Sequence, residues 1–188
     1  MSFKDVIGHK TIVAQLKNAV SSGRVGNAYL FSGPTGIGKK TVAAQFAKAL
    51  NCLKNDPDGC GECESCRKAD ASSHPDVKWC GPAGASRSIK IESVRELIRN
   101  AGMKPYEGRR KVFVLAEAET LNPASGNALL KTLEEPPADT VFILTTSHKD
   151  ALLPTIRSRC QTVEFQPLPA KTMEEIARSR YSLPDREA

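Results

Sequence analysis

The segment Gly33-Pro34-Thr35-Gly36-Ile37-Gly38-Lys39-Lys40-Thr41 has the residue types and spacing of a phosphate cradle. Glycines 33, 36 and 38 let the backbone turn tightly enough to aim its N–H groups inward, and Lys39 adds a mobile charge beside the outer phosphates of a nucleotide. The next position ordinarily holds Ser or Thr, whose hydroxyl ligates the Mg²⁺ between the β- and γ-phosphates. Here it is Lys40. Thr41 is a poor substitute, because one further helical residue turns the side chain roughly 100° away. The cradle thus suits ATP or ADP while lacking half of what holds Mg²⁺. The plainer reading, a glycine turn that only links a strand to a helix, is weak beside the flanking elements.

A second group is Cys52 with Cys60-Gly61-Glu62-Cys63-Glu64-Ser65-Cys66, a Cys-x7-Cys-x2-Cys-x2-Cys series in a loop rich in Asp, Gly and Asn. Spacings of two residues let neighbouring thiolates converge on one tetrahedral ion about 2.3 Å from each sulfur. The expectation is one structural Zn²⁺ held by Cys52, Cys60, Cys63 and Cys66. A redox pair is the weaker rival, since a third and a fourth cysteine sit at ligand spacing. Cys80 lies in the apolar run Val77-Lys78-Trp79-Cys80 and is expected to pack in or beside a sheet.

A third position bears on the first. The run Val112-Phe113-Val114-Leu115 ends in Ala116-Glu117, where a nucleotide-hydrolysing chain ordinarily ends in Asp-Glu. The Asp would orient the Mg²⁺ shell and the Glu would activate water. The metal-orienting carboxylate is missing while Glu117, the possible base, survives, so one function is damaged at two places.

The elements that must position these groups are visible as periodicity. Ala28-Tyr29-Leu30-Phe31 is an apolar strand before the glycine loop, and Val42, Phe46 and Leu50 continue a helix after it. Ile12, Val13, Leu16 and Val20 mark an earlier amphipathic helix, ended by Ser21-Ser22-Gly23. The lead-in residues Val6 and Ile7 could fold over an adenine, although packing on the core is their plainer role. A helix is predicted over 89–101, a basic turn over 102–110, and a helix capped by Asn122 and started by Pro123. Val141-Phe142-Ile143-Leu144 is a buried strand whose end carries Thr145, Thr146 and Ser147, placed to sense a γ-phosphate or simply to finish the strand. A short helical stretch over 152–160 and a strand at 162–165 follow, and Pro167 and Pro169 open a linker into a last helix. Alternating strands and helices imply an α/β fold: a parallel sheet of about five strands with helices on both faces.

At 188 residues and 40% hydrophobic content the chain has enough apolar material for one ordinary domain and part of a second. No apolar stretch approaches the ~20 residues of a membrane span and the start has no apolar signal region, so no membrane partner and a cytoplasmic location are expected. A net charge of +6 suits a polyanionic partner or a solvated mixed surface equally.

Taken together, Val6-Ile7-Gly8, Asn27-Ala28-Tyr29-Leu30-Phe31, the four-cysteine insertion, Asn127-Ala128-Leu129-Leu130-Lys131-Thr132-Leu133-Glu134-Glu135-Pro136-Pro137 and Ser158-Arg159-Cys160 resemble the bacterial clamp-loader subunits of DNA polymerase III. The resemblance spans nearly the whole chain. It implies an AAA+ P-loop module over 1–166, with the zinc-binding insertion at about 52–66, and a linker and start of a helical lid over 167–188. The chain stops where the lid should be starting. The family's subunits form a pentameric ring through a helical collar and load the sliding clamp onto primed DNA. Lys40 and Ala116 make the sequence look more like the delta-prime subunit than the ATP-hydrolysing gamma/tau subunit, which would be its partner together with delta. Arg159 matches the family's arginine finger, which reaches across an interface to the neighbour's nucleotide; a local partner such as Glu164 is the competing role. The alternatives are an active gamma/tau-like ATPase and, more weakly, a stand-alone zinc-bearing DNA-binding module.

Overall fold

The computed structural model describes residues 2–84 and 87–181. Five parallel strands form one sheet in the order β2-β3-β4-β1-β5. The three inner strands, β1 (Ala28–Ser32), β3 (Lys111–Leu115) and β4 (Thr140–Thr146), are buried along their whole length. This is why they read as unbroken apolar runs: both faces of a parallel sheet are covered, and no residue alternates toward water. The edge strands β2 (Val77–Cys80) and β5 (Gln161–Glu164) are half exposed.

The alternation of side chains across the sheet divides the core in two. Val112 and Val114 of β3 join Phe31, Val141 and Ile143 on the face covered by α1 (Lys10–Ser22) and α2 (Lys39–Leu50). Phe113 and Leu115 join Leu30, Phe142 and Leu144 on the other face, under α4 (Ile91–Ala101) and α5 (Pro123–Glu134). The expected start of α5 is present: Asn122 Oδ1 accepts the Ser125 N–H at 2.8 Å, and Pro123 occupies the first turn. A short α3 (Glu64–Asp70) follows the cysteine run, α6 (Pro154–Arg157) precedes β5, and α7 (Ala170–Tyr181) follows it. Residues 182–188 of the expected lid start lie outside the described residues. Among the described residues no helix is long and apolar enough to cross a membrane.

The sheet register sets the functional edge. Ser32 pairs with Thr146 and Leu115 with Leu144, so β1, β3 and β4 deliver their carboxyl ends to one place. Gly33 is required there. A Cβ on it would lie 2.4 Å from the Phe165 carbonyl oxygen, so no larger residue allows β5 to close beside the loop.

The basic turn at 102–110 has no regular structure and is pinned from outside. Asp76 accepts the N–H groups of Tyr106, Glu107 and Gly108 at 2.7, 2.9 and 2.7 Å. Asn51, at the end of α2, accepts those of Arg109 and Arg110, both at 2.9 Å. Burial alone would raise the Asp76 carboxyl, but its N–H donors outweigh that and hold it below the ordinary value. Its stabilisation is therefore complete above the unfolded value of about 3.9 and is lost as pH falls through the depressed native value. Asp76→Ala is expected to cost about 2–4 kcal/mol at pH 7, measured by urea unfolding, because three N–H groups lose their acceptor. The gap between variant and parent should narrow in strong acid.

Candidate functional site

The carboxyl edge of the sheet opens into a cavity of about 540 Å³ at the mouth of the glycine loop. Thr35, Gly36 and Gly38 line it from the loop, and Lys39, Lys40 and Thr41 from the first turn of α2. Thr41, expected to turn away, still borders the cavity, because side chains of a first helical turn lean toward the helix N-terminus. Thr146 and Ser147 line it from the end of β4. Gly33 holds the loop to β4 through its N–H, 3.2 Å from the Thr146 carbonyl. Val6 packs on the core face that carries α1 and α2, and neither it nor Ile7 is among the residues lining this cavity.

Lys39 is buried and folds back on the loop, donating to the Gly33 and Pro34 carbonyls at 2.6 and 2.7 Å. Burial pulls its ammonium below the ordinary value, partly countered by Glu119. Lys40 does something different. Its Nζ donates to Glu117 Oε1 at 2.8 Å, and Arg87 Nη2 stands 3.3 Å from the other oxygen. Lys40, with Arg87 behind it, holds the Glu117 carboxyl below the ordinary range. Glu119 is locked as well, accepting the Ser147 N–H at 3.0 Å and its hydroxyl at 2.5 Å.

Two lining residues, Arg87 and Glu119, had no signal strong enough to find them by sequence, whereas Thr145 belongs to the polar strand end that the sequence singles out. Arg87 sits in an aperiodic loop, Glu119 follows a left-handed turn at Glu117 (φ 55°), and Thr145 is a buried strand residue whose hydroxyl meets the Glu117 N–H at 3.3 Å. The Ala116-Glu117-Ala118-Glu119 alternation was the one available hint.

Mg²⁺, which accompanies nucleotide in this class of loop, does not fit these residues. Mg²⁺ demands near-ideal octahedral oxygen ligation. Its hydroxyl position is an ammonium, Ala116 offers no oxygen, Glu117 is already shared between two cations, and Glu119, held through Oε1 by Ser147, has only Oε2 without a partner.

The cysteines converge as their spacing predicts. The sulfurs of Cys52, Cys60, Cys63 and Cys66 all lie within 4.8 Å of one another. A tetrahedral ion about 2.3 Å from each sulfur would space them roughly 3.8 Å apart. Cys60 Sγ and Cys66 Sγ stand at 3.8 Å. A metal such as zinc fits this donor set. Burial raises the Cys63 thiol, but the N–H groups of Cys66 and Leu53 and the adjoining sulfurs outweigh it and hold it down at about 6. The cluster is anchored beneath: Ser65 Oγ donates to the Asn51 carbonyl at 2.7 Å, and the fully buried Lys48 pairs with Asp70 at 2.9 Å. Cys80 borders the second core face and Cys160 is half-buried, its thiol pushed up by burial to about 12; neither joins the cluster.

Arg159 stands elsewhere. It precedes β5, and β5 runs parallel to β1, with Tyr29 opposite Gln161. The arginine therefore leaves the backbone at the amino edge of the sheet, about 15 Å along the strands from its own glycine loop. Its guanidinium pairs with Glu134 at the end of α5 and donates to the Thr155 carbonyl at 2.9 Å. Glu164, the carboxylate nearest in sequence, is taken by Lys149 at 2.6 Å.

A family profile described as DNA polymerase III, delta subunit, matches residues 8–169. DNA polymerase III subunit tau/gamma of Haemophilus influenzae is 42% identical over 160 residues, covering 85% of this chain and 23% of that protein. Subunit delta-prime of Bacillus subtilis is 35% identical over 165 residues, 87% of this chain and 49% of that protein. Among solved structures, a DNA polymerase III gamma-subunit-related protein of Thermotoga maritima aligns with a TM-score of 0.66 at 23% identity, covering 89% of this chain and 49% of that one. The chain thus spans about half or less of the length of these relatives. The parallel sheet with its glycine loop is an AAA+ fold, and the profile match over most of the sequence shows that the chain belongs to the clamp-loader subunit family of DNA polymerase III.

Proposed function

We propose that the chain is the AAA+ part of a delta-prime-like subunit, one that does not hydrolyse ATP itself and supplies Arg159 to the nucleotide of a neighbouring gamma/tau-like subunit. The Lys40–Glu117 ion pair at 2.8 Å carries this reading. It puts a fixed positive charge where a working site holds its metal, and it ties up the carboxylate that would activate water. Arg159, at the opposite edge of the sheet, is badly placed for its own loop, which supports a role toward a different nucleotide, that of an adjoining subunit. In transfer of a phosphoryl group, charge spreads over the γ-phosphoryl oxygens, and a guanidinium supplied in trans stabilises it. The zinc held by the four cysteines is structural, since a closed four-sulfur shell leaves no position for water. The full subunit works in the cytoplasm, within a ring that includes delta and gamma/tau and loads the sliding clamp at primed DNA. The module boundary near residue 166 and the lid beyond it belong to the same reading.

A gamma/tau-like ATPase is the second reading, favoured by 42% identity to a tau/gamma relative and by Lys39, Thr41 and Glu117 all bordering the cavity. Steady-state turnover separates the two. The purified chain with Mg²⁺ and ATP is expected to fall well below the ~1 s⁻¹ low end of ordinary enzymes. Turnover at that level, abolished by Lys39→Ala, would establish the second reading.

A further inference from the structure

The misfit of Mg²⁺ has a positive counterpart in the cavity. A metal in a working site of this fold bridges two elements, the first turn of the loop helix and the end of the strand that carries the acidic pair. Lys40 and Glu117 bridge those same two elements, α2 and the end of β3, through an ammonium. Three cations, Lys39, Lys40 and Arg87, border the cavity against two carboxylates, Glu117 and Glu119, so a polyphosphate meets a net positive wall without bringing a metal. The Lys40 side chain is 56% exposed, which leaves its ammonium able to swing from Glu117 to a phosphate oxygen.

We infer that this cavity takes a nucleoside di- or triphosphate as the metal-free anion, with the Lys40 ammonium standing in the place of the divalent cation. The inference rests on reading the cavity as a nucleotide site and adds the form in which the nucleotide is bound. Loop N–H groups and Lys39 hold the phosphates as they do elsewhere in the fold. Lys40 neutralises the outer charge that Mg²⁺ would otherwise neutralise. Magnesium-bound ATP is the poorer ligand, because its dication would meet the Lys40 and Arg87 cations, Glu117 is shared between those two, and the one unpartnered carboxylate oxygen among the described residues at the cavity, Glu119 Oε2, is a single ligand where an octahedral ion needs several.

The test is calorimetric titration of ATP into the zinc-loaded protein, in metal-depleted buffer and again with excess Mg²⁺. Chelator is left out because it would strip the cysteine cluster. Affinity without Mg²⁺ should at least equal affinity with it. Lys40→Met should weaken the metal-free affinity about tenfold or more, the worth of one charge-assisted hydrogen bond, while Lys40→Arg keeps most of it. Unchanged zinc content and circular dichroism confirm that each variant is folded. Tenfold tighter binding with Mg²⁺, an unchanged affinity in Lys40→Met, or no binding of millimolar ATP in either buffer would each overturn the inference. None of those outcomes touches the role of Arg159 at the neighbour, and loss of that role would leave metal-free binding intact.

Discussion

Arg159→Ala in the full-length protein, reassembled with its partner subunits, is expected to slow hydrolysis at the adjoining nucleotide site on the order of 10³-fold while leaving fold and zinc content unchanged. The magnitudes decide between the two roles open to this residue. Its pairing with Glu134 lies at the surface, with side chains 30% and 47% exposed, and such pairs contribute roughly 0–1 kcal/mol. A guanidinium on a transition state contributes on the order of 4 kcal/mol, which is what a 10³-fold loss represents. On the proposed function the intrachain pair is a resting arrangement that an adjoining phosphate would outcompete. Glu134→Gln should leave ring turnover intact, whereas Arg159→Lys should not rescue it, because a point charge cannot reproduce the planar fork. Other ATP sites in the ring dilute the effect on total turnover, so clamp loading should fall further than bulk hydrolysis. Stopped-flow phosphate release and a clamp-loading assay read the two effects.

The second large effect concerns the cysteine cluster. Cys63→Ser is expected to reduce zinc below about half an equivalent by elemental analysis and to destabilise the chain by roughly 3 kcal/mol or more in thermal unfolding. Zinc-finger peptides lose their entire fold without metal, but this cluster is also held by Ser65 on Asn51 and by Lys48 on Asp70, so unfolding should begin in the 52–70 segment and leave the sheet standing. Loss of structure by circular dichroism with no change in bound zinc would remove the metal from the account. Cys80→Ser, outside the cluster, should keep full zinc.

Much of the fold was legible because its signals are local. Short apolar runs mark doubly buried strands, Asn122-Pro123 marks a helix start, and the Cys-x2-Cys spacings fix ligand geometry regardless of what surrounds them. The position of the phosphate loop was equally visible, as were its departures from the ordinary pattern, since Lys40 and Ala116 stand where a hydroxyl and a carboxylate are usual. What stayed hidden depends on contacts between distant segments. Nothing within a window of residues tells that Lys40 spans to Glu117, that Arg87 reaches the same carboxylate, or that Glu119 is locked by Ser147. The partner of Arg159 was hidden for the same reason: Glu164 is closer in sequence, but α5 packs beside α6 and brings Glu134 to it, while Lys149 claims Glu164. The turn at 102–110 reads as a basic loop, and only the fold shows that Asp76 and Asn51 hold its backbone.

The division of labour itself, an inactive site at home and an active arginine next door, is tested by placing two substitutions in the same ring, one at a time. Each full-length variant, Lys39→Ala or Arg159→Ala, is assembled with unaltered partners, and clamp-stimulated ATP turnover is measured. Lys39→Ala should leave turnover within about twofold of the parent, since its own site contributes no hydrolysis, and Arg159→Ala should remove the contribution of one neighbouring site. A ring that loses turnover with Lys39→Ala and keeps it with Arg159→Ala would contradict the account at its centre.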